Sequence, residues 1–472
     1  MNKTIEVRNP RTGKFDYVII PPPPKLLSQQ CHRLRRGQIA WEEIGIKGRI
    51  AVLQQWKQAI LAERQNLTDA LVNDTGRLSV SVLEIDSVIN SIDRWCNLAP
   101  QLLQPTAKNT SIPFIALQQA AVPYTLVGVI SPWNFPFFLS NIDTIPALLA
   151  GCAVIVKPSE ITPRFVAPLM TATNTVPLLR DVLNFVEGGG ETGATLIEAV
   201  DSICFTGSVK TGRMVGESAA KNFIPAFLEL GGKDPAIVLE SADLDLATSA
   251  ILWGSVVNTG QSCLSIERIY VAEQIFAEFY HLLITKAHSL KLAYPTVEDG
   301  EIGPIITENQ AAIIKEHLQD AIDKGATIHC GGKVEELGGG WWCRPTVITN
   351  VNHSMKIMTE ETFGPIMPIM SFATIEEAIN LANDSIYGLS GAIFSESIEL
   401  ALQIGMQIDV GGISINDAGL TSMIQEGEKN SFKFSGLGGS RMGAASLQRF
   451  LRKKAFLIKT NTNKDPWWFS EE

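Results

Sequence analysis

The chain has little that would let it live in or cross a membrane. Its apolar stretch at residues 145–156 contains Pro146 and Gly151 and falls short of the ~20 residues a spanning helix needs. The start of the chain shows no cationic segment followed by an apolar run and a small-residue cleavage site, so no secretory signal is expected. Cysteine is sparse: Cys31, Cys96, Cys152, Cys204, Cys263, Cys330 and Cys343 make seven, an odd number without metal-type pairing. That scatter argues against a disulfide framework or a metal site and suits a reducing, cytoplasmic setting. Positive charge is also in deficit. Lys and Arg number 39 against 49 Asp and Glu, a net charge of −10, which argues against broad nucleic-acid backbone binding. The nearest basic cluster, Arg33, Arg35 and Arg36, reads as a solvated helix end. At 472 residues, 45% apolar and 19% charged, the chain is an ordinary globular one, long enough for two or three domains.

The chain opens with a predicted hairpin, residues 5–7 and 15–20 about a turn at 9–13. The proline run 21–24 predicts an extended connector. Helical spacing then dominates from about Gln29 to Leu98, as in Ile50, Leu53, Trp56 and Ile60. Residues 105–122 predict an exposed pair of strands. Beyond Pro123, strand-like and helix-like runs alternate: 126–130, 142–150, 153–156, a helix from Pro163, 182–186, a helix from Thr192, 203–205, a helix from Thr211, and 226–230. A second series follows with 236–239, 244–257, 269–271 and 275–290. Such alternation predicts βαβ units with parallel sheets covered by helices on both faces, in two α/β domains.

Cys263 ends the segment Asn258-Thr259-Gly260-Gln261-Ser262-Cys263. A free thiol ionises near pH ~8.5, so a nucleophilic cysteine needs a lowered pKa or a nearby base. None of the six histidines (His32, His281, His288, His317, His329, His353) adjoins it. Glu229, opening Glu229-Leu230-Gly231-Gly232-Lys233 after an apolar strand, is the candidate base. Ser131-Pro132-Trp133-Asn134-Phe135-Pro136 follows a strand's carboxyl end, the edge where open α/β sheets bind ligands. Asn134 there either offers an amide to an oxyanion or bonds its own turn backbone. Lys157-Pro158-Ser159-Glu160 holds a ribose, its acid disfavouring a 2′-phosphate, or starts a helix with Ser159 as cap. Phe205-Thr206-Gly207-Ser208, with Gly212, puts small residues before a helix N-terminus suited to a pyrophosphate. The glycines Gly188, Gly190 and Gly193 read as a turn. Glu361 and Phe363, two apart on an extended segment, are expected on one side.

In this order the motifs resemble the aldehyde dehydrogenase superfamily, from Pro132 to Gly443, including Arg268, the segment 383–390 and Ser435-Gly436. The resemblance implies a Rossmann-like NAD-binding domain (1–104 and 124–231) and an α/β catalytic domain (232–430). It further implies a small β oligomerisation arm (105–123 and 447–460) and a homodimer or homotetramer. It implies NAD(P)-dependent oxidation of a small-molecule aldehyde, with Cys263 as nucleophile, Asn134 and the Cys263 N–H on the oxyanion, and Glu229 as the base for thioester hydrolysis. The cofactor side would comprise Ile130, Ser131, Trp133, Lys157, Ser159, Glu160, Gly207, Ser208, Leu230, Gly231, Glu361 and Phe363, with NAD expected and NADP possible. One departure stands out: where many relatives carry an Arg-Glu pair, Ser440 takes the acid's place.

Phe137, Phe138, Leu139, Ile142 and Leu264 flank the motifs and point to an apolar aliphatic or aromatic aldehyde. The polar stretch 425–433 is expected at the entrance. The competing readings are a CoA-acylating enzyme, a phosphorylating semialdehyde dehydrogenase and a catalytically silent binding or structural relative. The first is opposed by Glu229, the base such enzymes generally lack. The second wants a cysteine–histidine pair, and no histidine lies suitably placed in a motif. The last is opposed by the retention of Cys263, Glu229 and Asn134.

Overall fold

The computed structural model of the protein describes residues 4–104, 106–462 and 467–469. A hairpin of β1 (Ile5–Arg8) and β2 (Phe15–Ile19) opens the chain. The proline run is not wholly extended, because Pro24 is the first residue of α1 (Pro24–Glu43). The first helical N–H has no acceptor within the helix, so a proline there loses nothing. α1 buries Leu27, Leu34 and Trp41 along one stripe. The arginine cluster lies inside this helix rather than at its end. Arg35 forks onto both Asp201 carboxylate oxygens at 2.7 and 2.8 Å, the planar match that guanidinium favours. Helices α2 (Gly45–Ala62), α3 (Arg64–Thr75) and α4 (Ser79–Leu102) follow. The expected exposed pair is β3 (Thr106–Asn109) and β4 (Ile115–Pro123), antiparallel to one another; residue 105 lies outside the described residues.

The first alternating series runs β5 (Leu126–Ile130), α5 (Pro136–Asn141), α6 (Thr144–Ala150), β6 (Ala153–Lys157), α7 (Val166–Asn174), α8 (Pro177–Arg180), β7 (Leu183–Phe185), α9 (Gly190–Ile197), β8 (Ser202–Thr206), α10 (Val209–Lys221) and β9 (Ala226–Glu229). β5, β6 and β8 are buried along their whole length, as parallel strands covered on both faces must be. The second series has β10 (Asp234–Val238), α11 (Leu244–Val256), β11 (Ile266–Ala272), α12 (Phe276–Ser289) and β12 (Thr327–Cys330). It continues through the hairpin β13 (Val334–Leu337) and β14 (Gly340–Cys343) to β15 (Thr346–Thr349) and β16 (Ile366–Phe372). The short β17 (Tyr387–Gly388) precedes β18 (Ser390–Phe394) and β19 (Gly412–Ile415). The chain closes with β20 (Phe432–Lys433), β21 (Gly436–Leu437) and β22 (Leu451–Lys459).

Two sheets result, so the chain is α/β as the alternation predicts. One has the order β21-β9-β8-β5-β6-β7 and the other β12-β15-β16-β11-β10-β18-β19. Each is parallel apart from a single antiparallel edge pair, β21 on β9 and β12 on β15. β22 pairs with β4 over nine residues, and a separate three-stranded sheet, β22-β4-β3, stands apart from both. In the first sheet the strand order reverses between β5 and β8, which places a crevice at their carboxyl ends.

Candidate active site

The peptide that leaves β9 crosses directly into β10, so Glu229 and Asp234 end one sheet and begin the other. Gly232 lies in this crossing and meets the turn at 262–265, just before β11: a Cβ on Gly232 would stand 2.2 Å from the Cys263 carbonyl oxygen. Only glycine permits that approach. Glu229 and Cys263 thereby line one pocket at the junction of the sheets.

The segment before Cys263 is strained. Asn258 and Thr259 have φ of 57° and 58°, followed by Gly260 at 69°. Left-handed backbone costs a non-glycine residue about 1–3 kcal/mol, and a β-branched threonine is an outlier there. Buried bonds hold it. Asn258 Nδ2 donates to the Asn134 and Gln261 carbonyls at 3.0 and 2.9 Å, and Thr259 Oγ1 donates to the Gly303 carbonyl at 3.1 Å. Gln261 donates to the Asn258 and Pro304 carbonyls at 3.1 and 3.2 Å and accepts from the Ile306 N–H at 2.9 Å.

Asn134 is buried and its Nδ2 donates to the Gln261 carbonyl at 3.0 Å. The side chain thus reaches the cysteine segment rather than its own turn. That turn is held from behind by two residues that sequence reading missed. Arg77 donates to the Asn134 carbonyl at 2.9 Å, and Glu84 accepts the Phe137 and Phe138 N–H groups at 2.9 and 3.0 Å. Burial pushes the Glu84 carboxyl up to about 7, against the pull of Arg77. The signal for Glu84 was a carboxylate at a core register of α4, between Val80 and Val88.

Glu229 accepts a hydrogen bond from Ser431 Oγ at 3.1 Å. Enclosure pushes the Cys263 thiol up to about 12, helped by the Glu361, Asp234 and Glu229 carboxylates and opposed by Lys429. Among the described residues no histidine lines the pocket. Phe138, Leu139, Ile142 and Leu264 form its apolar wall. Phe137 does not: it is fully buried against Phe165, ring centroids 5.8 Å apart. From the polar stretch, Lys429 and Ser431 reach the pocket, whereas Gln425 turns to Arg94 at 3.1 Å. Ser440 spends its hydroxyl on the N–H groups of Lys429 and Met442, both at 3.0 Å. The next residue, Arg441, lines the pocket instead and is tied to Asp143 at 2.9 Å. Arg449 grips the same carboxylate.

Most of the nucleotide-side candidates gather where the first sheet's order reverses. Ile130 ends β5, Ser131 bonds Ser140 Oγ at 2.6 Å, and Lys157 Nζ pairs with Glu160 at 2.9 Å. Ser159 accepts from the Ile161 N–H at 3.2 Å, while α7 begins only at Val166. The segment is therefore a turn and not the helix start that the alternative reading offered. Gly207 and Ser208 follow β8, and Ser208 caps α10 by accepting the Thr211 N–H at 3.3 Å. Of the glycine series, Gly190 already belongs to α9, so it is more than a turn. Gly193 faces Ile130 and Lys157, where a Cβ would come within 3.4 and 3.8 Å of their side chains.

Leu230 lines the pocket with Cys263, and Gly231 accepts from Ser435 Oγ at 2.7 Å. Glu361 and Phe363 do not follow the strand alternation expected of them, because Phe363 has φ of 52°. Glu361 accepts the Gly232 N–H at 3.1 Å, its carboxyl pushed up to about 8 by burial and by Glu267. Phe363 meets Trp133 edge-on, centroids 5.4 Å apart. Glu267 holds this segment by accepting the Thr362 and Phe363 N–H groups, both at 2.7 Å, and is itself paired with buried Lys233 at 2.6 Å. No spacing in the sequence announced that tie. Arg268, by contrast, is buried and donates to the Lys233 carbonyl at 2.8 Å.

Comparison with known proteins identifies the family. The model of the aldehyde dehydrogenase family matches residues 1–456. A solved structure from Anabaena variabilis, provisionally assigned as an aldehyde dehydrogenase and designated PutA, is 76% identical. It superposes with a TM-score of 0.98 over 99% of this chain and 100% of its own. Betaine aldehyde dehydrogenase from Staphylococcus aureus, solved with NAD+, is 31% identical with a TM-score of 0.92, covering 99% of this chain and 94% of that one. A Methylomonas protein named 4,4′-diapolycopene aldehyde oxidase is 36% identical over 94% of this chain and 84% of its own length. The chain belongs to the aldehyde dehydrogenase family.

Proposed function

We propose that the protein oxidises an aldehyde to its carboxylic acid with NAD(P), through a covalent intermediate on Cys263. The observation that carries this is the shared pocket of Cys263 and Glu229 at the junction of the two sheets. The Cys263 thiolate adds to the aldehyde carbon, forming a C–S bond, while the Asn134 amide and the Cys263 N–H stabilise the oxyanion. Hydride leaves that carbon as the carbonyl re-forms, giving a thioester. Glu229 takes a proton from water, which adds to the thioester; the C–S bond breaks and the thiolate departs. NAD, when bound, supplies the hydride acceptor.

The crevice at the β5/β8 edge fits a dinucleotide. It combines a glycine facing Ile130 and Lys157, the N-terminus of α10, and the Lys157–Glu160 pair. The Glu160 carboxylate would accept from a ribose and repel a 2′-phosphate, which favours NAD. In this reading residues 1–104 and 124–231 form the NAD-binding domain and 232–430 the catalytic domain. Residues 105–123 and 447–460 form the oligomerisation arm of a homodimer or homotetramer. The wall of Phe138, Leu139, Ile142 and Leu264 suits an aliphatic or aromatic aldehyde.

A panel of aldehydes, each with NAD and with NADP and without CoA, tests the proposal. NADH should form with apolar members and be abolished in Cys263→Ala. No turnover across the panel by a protein that still binds NAD would leave a silent binding protein.

A further inference from the structure

Lys429 is the unusual cation of the pocket. Its Nζ is shut away from solvent without a hydrogen-bond partner, yet the residue lines the same pocket as Cys263. The side chain is held in place. Its backbone N–H donates to Ser440 Oγ at 3.0 Å, and its stem lies on Gly412, where a Cβ would come within 2.9 Å of Lys429 Cδ. Neighbouring buried cations are matched: Lys233 with Glu267 at 2.6 Å, and Arg441 with Asp143 at 2.9 Å. An unpaired buried ammonium is costly and calls for an anion.

The charged groups around Cys263 narrow the choice of that anion. Glu229 from the end of β9, Asp234 from the start of β10 and Glu361 from the segment before β16 all act against a thiolate, while Arg441 stands across the pocket beside Asp143. Asp234 is already engaged by the Ser390 N–H at 3.1 Å and by the Ser390 hydroxyl. Glu361 is engaged by the Gly232 N–H, and Glu229 by Ser431. Lys429 bears on the Asp234 carboxylate as well as on Cys263, and of these two only Cys263 gains its charge during the reaction.

We propose that Lys429 is the counter-charge of the Cys263 thiolate, a positioning residue that sustains the nucleophile without touching the reacting carbon. The inference rests on Cys263 being the nucleophile. Arginine at this position would keep the charge, and methionine or glutamine would keep the stem and remove it.

The test needs no substrate. Iodoacetamide alkylation of the full-length protein, followed by intact mass across pH, reads the ionisation of the thiol; Cys263→Ala identifies its share among seven cysteines. In Lys429→Met and Lys429→Gln the Cys263-specific profile should move to higher pH by about one unit, slowing alkylation near neutrality about tenfold. Lys429→Arg should keep the native profile. Cys263-specific labelling with an unchanged profile in both neutral variants that remain folded by circular dichroism overturns the role of Lys429 alone. Labelling indifferent to Cys263→Ala overturns the nucleophile itself. Using two neutral replacements keeps the test decisive if one of them fails to fold.

Discussion

Glu229 sits among groups of both signs, and its surroundings decide what its removal would do. Ser431 donates to it at 3.1 Å, and Glu229→Gln keeps the shape and an oxygen to accept that bond while abolishing the base. Addition of the thiolate and loss of hydride need no base at this position, so the acyl-enzyme should form and then persist. Where deacylation limits turnover, the steady-state rate should fall about 10²–10⁴-fold, the range lost with a general base. Intact mass after mixing with aldehyde and NAD should show the trapped thioester. A steady-state rate equal to wild type would remove Glu229 from the mechanism. At this scale the candidates were legible because each stands in a short, distinctive string: Cys263 and Glu229 come to line one pocket, and Asn134 bonds the cysteine segment. Lys429 was readable only as part of the polar stretch 425–433 expected at the entrance, and Arg441 was not readable as a pocket residue. The stretch is aperiodic, so nothing in it singled out Lys429 from its neighbours, and Arg441 becomes a pocket residue only because Asp143, nearly 300 positions away, turns it inward. Glu267 was hidden for the same reason, since its partners Lys233 and residues 362–363 meet it only through the fold.

Among the elements, the parallel strands were legible because burial on both faces leaves continuous apolar runs, and β5, β6, β8, β10 and β11 are buried throughout. What misled were local signals that tertiary contacts override. Ser159 looks like a helix cap but closes a turn, and Pro24 opens a helix within what reads as a connector. Residues 361–363 read as extended but carry a positive φ at Phe363, imposed by the two N–H groups that Glu267 draws together. The cysteine segment is the extreme case. Its three consecutive left-handed residues persist only because buried bonds outweigh the strain. Gln261, fully buried, supplies three of those bonds. Gln261→Ala should therefore cost roughly 2–3 kcal/mol by orphaning the Pro304 carbonyl and the Ile306 N–H, while the Asn258 carbonyl keeps the residue 261 backbone N–H. It should also lower kcat about 10²-fold by letting Cys263 drift from its reactive position. Urea unfolding and steady-state kinetics check the two effects separately. Stability within error of wild type would mean that Asn258 and Thr259 hold the segment without Gln261.

For the whole molecule, the site depends on how two sheets meet, and the third sheet bears on how whole chains meet. β22 is nine residues long and lies at the edge of its sheet, paired on one side with β4. Phe456, Leu457 and Ile458 are 47%, 70% and 45% exposed on it. Although Arg452, Lys453, Lys454 and Lys459 also lie on this strand, three consecutive exposed apolar residues on a long edge invite association unless something covers them. Trp467, Trp468 and Phe469 add further exposed aromatic surface near the chain's end. A second copy of the chain is the occupant that our reading of the arm requires, and an isologous contact lets the same stripe cover itself. Phe456 and Ile458 point to one face of the strand because side chains alternate along it. Replacing both with Asp places two charges on that face while leaving the β22–β4 ladder, which is made of backbone, intact. In sedimentation analysis the native protein should run as a dimer or tetramer and the double variant as a smaller species. Because Cys263, Glu229 and Asn134 all lie within one chain, the smaller species should still be alkylated at Cys263. A native protein that sediments as a monomer would remove the assembly, and a double variant that keeps the native assembly would place its contact elsewhere; either leaves the exposed stripe of β22 without an explanation in assembly.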